Sequence, residues 1–446
     1  ISMRYDVMII GGGPGGYTAA HKAAKNGLSV LLFEKDKIGG TCLNRGCIPT
    51  KALIEASRLY RDAKEGEVLG ITGDVGFDFE LVNARRDEVV EKLRSGVEKM
   101  LKADKVEVIN GEAKIVAKDQ IECAGQIYEG ENIIIASGSV TSIPPIEGIE
   151  EAITSDTILE EAFDLPESMI IIGGGVIGSE IADALNGFGS KITIIEMADR
   201  LIPTMDKDLG QRLGMFFKKK GIDVFLNAAV KKIEKTAEGK KVLYSDKNGQ
   251  ECEVCAKEVL VATGRRAAVQ GLVKEGLDLK IERGVTADAT GKTNIDNIYV
   301  IGDAKAGNIQ LAHVASAQGE NVIDTILKQK EKIDLSVVPS GIYTSTEIAS
   351  VGIGEDKLKA DGVNYQAKKV LTGANGRCLI ENSESGFVKV LCVDDVIVGA
   401  SIVAPHATEL ISELALAVQK KMSLKEVEEV IHPHPTVSEM IWEATK

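Results

Sequence analysis

The chain is punctuated by short apolar runs that stop abruptly at glycine. Residues 5–10 form one such run and lead into Gly11-Gly12-Gly13-Pro14-Gly15-Gly16. A small-residue helix is predicted at 17–26, then a second apolar run at 28–33 that ends at Glu34. Far downstream the order returns. An apolar run at 169–172 leads into Gly173-Gly174-Gly175-Val176-Ile177-Gly178, a helix to about 187, and a strand at 191–195 ending at Glu196. Matched positions are offset by 162: Gly11 to Gly173, Gly13 to Gly175, Gly16 to Gly178, Glu34 to Glu196. Apolar runs of this kind, bounded by turn residues, read as buried strands of a parallel sheet. Three more end in small-residue turns: 133–135 before Ala136-Ser137-Gly138-Ser139, 259–261 before Ala262-Thr263-Gly264-Arg265, and 298–301 before Gly302-Asp303.

The glycine spacing carries chemistry. The first glycine permits a tight strand-to-helix turn, the second lets backbone approach a pyrophosphate, and the third lets helix pack on strand. The helix N-terminus then offers unpaired N–H groups and a positive dipole end to phosphate. Glu34 and Glu196 can each accept hydrogen bonds from an adenosine ribose. A carboxylate at that position repels the 2′-phosphate of NADP, so the second unit points to NAD. Arg200 nearby reads as a surface ion pair or a contact to another phosphate. Two copies in full strand–turn–helix–strand context predict two dinucleotide-binding units in one chain. Asp303 falls at a strand's C-terminal end, where ligands of open α/β sheets bind, and it also suits the N-cap of a following helix.

Charge and length narrow the class. The 446 residues carry a net charge of −14, which disfavours nucleic acid and anionic membranes as partners. No apolar run reaches the roughly 18 residues of a membrane helix. The first residues read directly as a strand with no secretion signal, so a cytoplasmic location is expected. Seven cysteines in such a chain do not make a disulfide scaffold, and any disulfide is expected to be catalytic.

One cysteine pair stands out, in Gly39-Gly40-Thr41-Cys42-Leu43-Asn44-Arg45-Gly46-Cys47-Ile48-Pro49-Thr50-Lys51. Across five residues of regular helix the rise is about 7.5 Å and the side chains diverge by about 140°. A disulfide wants Cα atoms only about 4.4–6.8 Å apart. The pair can therefore close only on a distorted turn. Gly46 supplies backbone freedom, Pro49 suits the first turn of a following helix, and that helix N-terminus would stabilise a thiolate at Cys47.

This segment resembles the active-site signature of class I pyridine nucleotide–disulfide oxidoreductases, in wording nearest their dihydrolipoyl-oxidising members. The likeness runs over essentially the whole chain, including Ile301-Gly302-Asp303, Leu311-Ala312-His313 and His432-Pro433-His434-Pro435-Thr436-Val437-Ser438-Glu439. It implies that Gly11, Gly13, Pro14, Gly15, Gly16, Glu34 and Lys35 bind the ADP half of FAD. Gly40, Thr41, Cys42, Lys51, Ala113, Ser137, Gly138 and Ser139 would also meet that cofactor, as would Asp303, at the ribityl region, and Gln310, Leu311, Ala312 and His313 along the isoalloxazine. Gly173, Gly175, Val176, Ile177, Gly178, Glu180, Glu196, Val230 and Gly264 would bind NAD. Lys51 and Glu180 would pair near flavin N5. Cys42 would exchange with substrate, Cys47 would face the flavin, and His434, oriented by Glu439, would be the general base of the partner subunit's site. The implied activity is oxidation of dihydrolipoyl groups with reduction of NAD⁺. The implied assembly is a homodimer serving a lipoyl-bearing protein of a 2-oxoacid dehydrogenase or glycine-cleavage complex. The alternatives are a glutathione-type reductase and a non-catalytic NADH-sensing subunit.

The fold expected is α/β, with two Rossmann-like domains for FAD and NAD and a C-terminal α+β dimerisation domain. Its divisions are set at 1–147, 148–268, 269–336 (completing the FAD domain) and 337–446. No metal site is expected. Cys252 and Cys255, three apart in a strand, should face opposite sides of a sheet. Cys123, Cys378 and Cys392 read as core residues. His21 reads as packing or surface, His406 as a residue with no nameable partner, and His432 as a surface histidine beside prolines.

Overall fold

The computed structural model describes residues 4–160, 162–383 and 385–446. Strand Arg4–Ile10 lies at the centre of the first sheet, between Val30–Glu34 and Gln126–Ile135, with parallel pairing on both sides. Glu107–Asn110 extends the sheet beyond Val30–Glu34, and Ile298–Val300 joins Gln126–Ile135 in parallel. Strand Gln126–Ile135 does two jobs. Its apolar C-terminal half, Ile133–135, sits fully buried in the parallel sheet. Its more exposed N-terminal half forms an antiparallel meander with Ala113–Ala117 and Gln120–Cys123.

The second unit repeats this plan. The parallel order is Asp223–Phe225, Lys191–Ile195, Ser168–Ile172, Glu258–Val261, Ile153–Thr154, with an antiparallel meander Ala229–Thr236, Gly239–Ser245, Glu251–Ala256 before its fourth strand. The duplication therefore extends well past the glycine motifs. A two-stranded ribbon, Ser139–Thr141 against Arg265–Ala267, ties the two crossing strands of the units together.

The C-terminal sheet is antiparallel, in the order Ser340–Ile342, Ile348–Gly352, Val396–Val403, Phe387–Val393, Gln366–Leu371. Strand periodicity divides its faces. Val388, Val390, Ala400 and Ile402 pack with helix Ala407–Gln419 in one core. Ile342, Ile348, Phe387 and Val403 point the other way and join the core of the second nucleotide unit. The α+β layer is thus built onto that unit through apolar packing.

The expected α/β architecture is present, and the glycine-flanked elements fall close to where their patterns place them. The helix anticipated at 17–26 spans Pro14–Lys25. Among the described residues no helix is long and apolar enough to cross a membrane.

Candidate active site

The two glycine turns have the same geometry. Gly11 and Gly173 sit at φ +105° and +109°, where a side chain would be strained, and a Cβ on either would strike the carbonyl of Ala136 or Ala262. Gly16 and Gly178 pack onto the carbonyls of Gly11 and Gly173, so each helix closes on its own turn. The middle glycines are different. A Cβ on Gly175 would meet nothing within 4 Å, and one on Gly13 only the Gly40 Cα at 3.6 Å. These positions are open on the ligand side, as a pyrophosphate approach requires. Helices Pro14–Lys25 and Val176–Gly187 start at Gly13 and Gly175 with no side-chain cap, leaving their first N–H groups directed at that opening. The two cradles fit two dinucleotides.

Glu34 and Glu196 also match. Glu34 Oε2 accepts from Gly12 N at 2.8 Å and Oε1 from Asp36 N at 2.8 Å; Glu196 accepts from Gly174 N at 2.6 Å and Ala198 N at 2.7 Å. The carboxylates therefore brace the turns, and each oxygen keeps lone-pair capacity for a ribose hydroxyl. Arg200 is bound to Asp199 and the Pro203 carbonyl. Lys35 is exposed and only 3.8 Å from Glu112. Ala113 is buried in its strand, and Val230 pairs across to Tyr244.

Cys42 and Cys47 are joined by a disulfide with Cα atoms 4.6 Å apart. The distorted turn is realised as two helices in series, Gly40–Arg45 and Cys47–Lys64, broken at Gly46 (φ −137°, ψ −112°). Cys42 lies inside the first and Cys47 opens the second. A Cβ at Gly46 would come within 2.9 Å of the Thr41 carbonyl and 3.1 Å of the Cys42 Cα, so glycine is what lets the segments fold onto each other. Cys47 occupies the first position of an uncapped 18-residue helix, where orphan N–H groups favour a thiolate. Asn44, buried, braces the strap by donating to the carbonyls of Ile38 and Gly40 at 3.0 Å each, and it accepts from Arg94 at 2.8 Å.

One turn along the second helix, Lys51 Nζ lies 2.8 Å from Glu180 Oε2 and 4.5 Å from the centre of the Tyr343 ring. The structure thus brings together the pair that the resemblance named. Asp303 lies in a single 3₁₀ turn and is not the cap of a following helix; its Oδ2 accepts from Ser139 Oγ at 2.6 Å. Ser137 donates to the Ala268 carbonyl, and Gly138 and Gly264 are left-handed glycines with open space beside them. Gln310 and Leu311 precede helix Ala312–Ile326, whose N-terminus has no side-chain cap; Gln310 donates to the Arg265 carbonyl and His313 contacts the Pro339 carbonyl. Arg265 is a residue the sequence reading passed over. It donates to Ser139 Oγ and the Ser139 carbonyl at 2.8 Å and reaches Thr41 Oγ1 at 3.5 Å, placing a cation among the first cradle's polar residues. Burial, first of all, lowers its pKa. Its signal was its place directly after the Thr263-Gly264 turn.

His434 Nδ1 is 2.9 Å from Glu439 Oε1, and Thr436 N donates to Glu439 Oε2 at 2.9 Å. The Thr436 N–H and then the His434 ring hold the Glu439 carboxyl below its ordinary range. The His434 side chain is 81% exposed, facing outward from its own subunit. His432 departs from expectation. Its side chain is 5% exposed and bound to Glu413, with Val430 O on the other nitrogen. His406 is left-handed and pairs with Glu381; His21 pairs with the buried Asp104. Cys252 and Cys255 are free, the second exposed, on opposite faces of strand Glu251–Ala256. Cys123, Cys378 and Cys392 are buried. Among the described residues no group of His, Cys, Asp or Glu could hold a metal ion.

Residues 5–319 match the family described as pyridine nucleotide-disulphide oxidoreductase, and residues 338–445 match its dimerisation domain. A dihydrolipoyl dehydrogenase of Bacillus subtilis is 38% identical over 466 residues, covering 100% of this chain and 98% of the relative. One of Geobacillus stearothermophilus is 37% identical, with 99% and 95% covered. Among solved structures, the HOCl-induced flavoprotein disulfide reductase RclA of Escherichia coli has a TM-score of 0.87 at 28% identity, with 98% of each chain covered. The disulfide on its broken helix, the paired cradles and these full-length matches lead to one conclusion: the chain belongs to the pyridine nucleotide–disulphide oxidoreductase family.

Proposed function

We propose that this protein is a dihydrolipoyl dehydrogenase, oxidising protein-bound dihydrolipoyl groups to the cyclic disulfide with reduction of NAD⁺. The observation that carries the reading is the Cys42–Cys47 disulfide at the head of the helix that bears Lys51. Its full-length relatives bear the same name. FAD and NAD are the cofactors, FAD supplying the two-electron relay between dithiol and NAD⁺. The first cradle, with Asp303, Ser139 and helix Ala312–Ile326, would hold FAD. The second, with Glu196, would hold NAD and turn away a 2′-phosphate.

The chain's own chemistry follows from its geometry. A carboxylate only accepts, so Nδ1 of His434 carries the hydrogen shared with Glu439 and Nε2 keeps its lone pair. Nε2 takes the proton from one substrate thiol. That sulfur attacks Cys42 Sγ, the Cys42–Cys47 bond breaks, and Cys47 leaves as a thiolate at its helix N-terminus. The second substrate thiol attacks the substrate sulfur of the mixed disulfide, closing the lipoyl ring; Cys42 is released and takes up that thiol's proton. The protein pair then holds two electrons. The dimerisation-domain match supports a homodimer. The outward-facing His434 would serve the partner's cysteine pair, and the lipoyl group would arrive on a carrier protein of a 2-oxoacid dehydrogenase or glycine-cleavage complex.

The test is parallel assay of the FAD-loaded protein with dihydrolipoamide plus NAD⁺ and with oxidised glutathione plus NADPH. Turnover in the first pair alone is expected. Turnover only in the second would replace the substrate reading, and turnover in neither would favour a non-catalytic, nucleotide-sensing role.

A further inference from the structure

Helix Val176–Gly187 carries two buried carboxylates, Glu180 and Asp183, each 2% exposed. Three residues apart, they share one face of the helix. Both are taken up by the same turn of the C-terminal domain, residues 343–347, which links strands Ser340–Ile342 and Ile348–Gly352. Tyr343 N donates to Glu180 Oε1 at 2.9 Å, and Ser345 N donates to Asp183 Oδ2 at 2.7 Å. The bend at residues 344–346 turns both amides toward the helix, so helix and turn meet at two points. The cysteine helix Cys47–Lys64 meets the same two residues. Lys51 reaches Glu180 at 2.8 Å; Arg61 donates to the Asp183 carbonyl at 2.9 Å and lies 3.6 Å from its carboxylate. Gly187 admits this approach, since a Cβ there would strike Ser57 Oγ and Arg61. Lys220 completes the cluster, 3.1 Å from Asp183 Oδ1 and bonded to Ser345 Oγ.

We infer that Asp183 is a positioning residue for the Lys51–Glu180 pair. Glu180 has one oxygen on Lys51 and the other on Tyr343 N. It holds both only while the helix keeps one rotation about its axis and one distance from segment 343–345. Packing of Ile181, Ala182 and Leu185 sets the helix on its sheet, and Asp183 supplies the second polar contact that sets the turn at 343–345 against it. The dinucleotide helix, the cysteine helix and the C-terminal sheet are thereby fixed to one another at the end of the helix that begins at Cys47. The consequence for electron transfer rests on the placement of Lys51 beside the flavin proposed above; the positioning itself does not.

The test uses the FAD-loaded, full-length protein with Asp183→Ala, Glu180→Gln, the double variant, and Lys389→Met as a control for lost stability elsewhere. Residue-resolved hydrogen exchange reports the clamp. Asp183→Ala is expected to speed exchange of the Tyr343 amide as well as that of Ser345, by roughly tenfold or more, although Glu180 is intact. The long-wavelength absorbance of the two-electron-reduced protein reports the consequence. Asp183→Ala should change it in the same direction as Glu180→Gln, and the double variant should go no further than Glu180→Gln alone. Lys389→Met should leave both readouts in place. Faster exchange at Ser345 alone, or absorbance changes that add in the double variant, would overturn the inference. Absence of the band in the unsubstituted protein would count against the proposed function, and the exchange result would then decide the clamp by itself.

Discussion

At the scale of single residues, the site divides labour by neighbour. His434 lies at the end of a chain of acceptors and donors: Thr436 N binds Glu439, and Glu439 binds Nδ1; the proposed function gives Nε2 to substrate. His434→Ala is therefore expected to lower kcat/KM for dihydrolipoamide by about 10²- to 10⁴-fold, the usual range for losing a positioned base. Glu439→Gln should cost less, because an amide oxygen can still orient the ring. Both should melt like the parent, since His434 is exposed; steady-state kinetics with circular-dichroism melts checks this. Unchanged turnover in His434→Ala would remove it from the mechanism. His432 has no such vacancy, with both ring nitrogens within hydrogen-bond reach of Val430 O and Glu413. Two histidines with proline neighbours looked alike in the sequence. The difference lies in Glu413, nineteen positions upstream, which no local pattern connects to His432.

Among elements, the glycine turns separate fold from function. Gly11, Gly16, Gly173 and Gly178 are fixed by backbone they touch, whereas Gly175 touches nothing at Cβ. Gly175→Ala, at φ −73°, should leave the melting temperature within a few degrees of the parent and keep the bound FAD, while KM for NAD⁺ rises. A fall in stability or loss of flavin would contradict the assignment of that turn to NAD. Elements such as these were legible because buried parallel strands are continuous apolar runs and their turns demand glycine. Other elements were not. The strap Gly40–Arg45 read as an irregular turn, because six residues set between Gly39 and Gly46 give no helical period, yet Asn44 and Arg94 hold them helical. The half-exposed meanders lack a continuous apolar signal, so the duplication was visible at its glycines, its acidic residues and its buried strands but not in the meanders. Asp183 and Arg265 carry no local motif either. Their meaning comes from partners more than a hundred residues away.

At the scale of the molecule, the C-terminal sheet is held to the second nucleotide unit by apolar packing and, besides the Asp183 cluster, by an ion cluster around a buried lysine. Lys389 Nζ, 3% exposed, lies 2.7 Å from both Asp208, at the start of helix Lys207–Lys219, and Glu355. Lys389→Met takes the shared cation from Asp208 and leaves Glu355 with Lys359 as its ion-pair partner, and should cost about 1–3 kcal/mol in denaturant unfolding. Burial pushes the Glu355 carboxyl up, but hydrogen bonds from Lys389 and Tyr365 outweigh it and bring it down from 4.5 to about 2. A carboxyl depressed in the folded state stabilises above its unfolded value. This contribution should therefore be complete above pH 4.5 and be lost as pH falls toward about 2, and acid melts of Glu355→Gln should lack that component. The proposed function makes the cysteine pair unequal, and that inequality can be read directly. The parent is reduced anaerobically by two electrons, Cys42→Ser and Cys47→Ser, which have no disulfide to reduce, are kept with their flavin oxidised, and the long-wavelength thiolate–flavin absorbance is recorded. The account predicts the band in the parent and in Cys42→Ser and its loss in Cys47→Ser. A Cys47→Ser protein that keeps the band while Cys42→Ser loses it would contradict the assignment of Cys47 to the flavin.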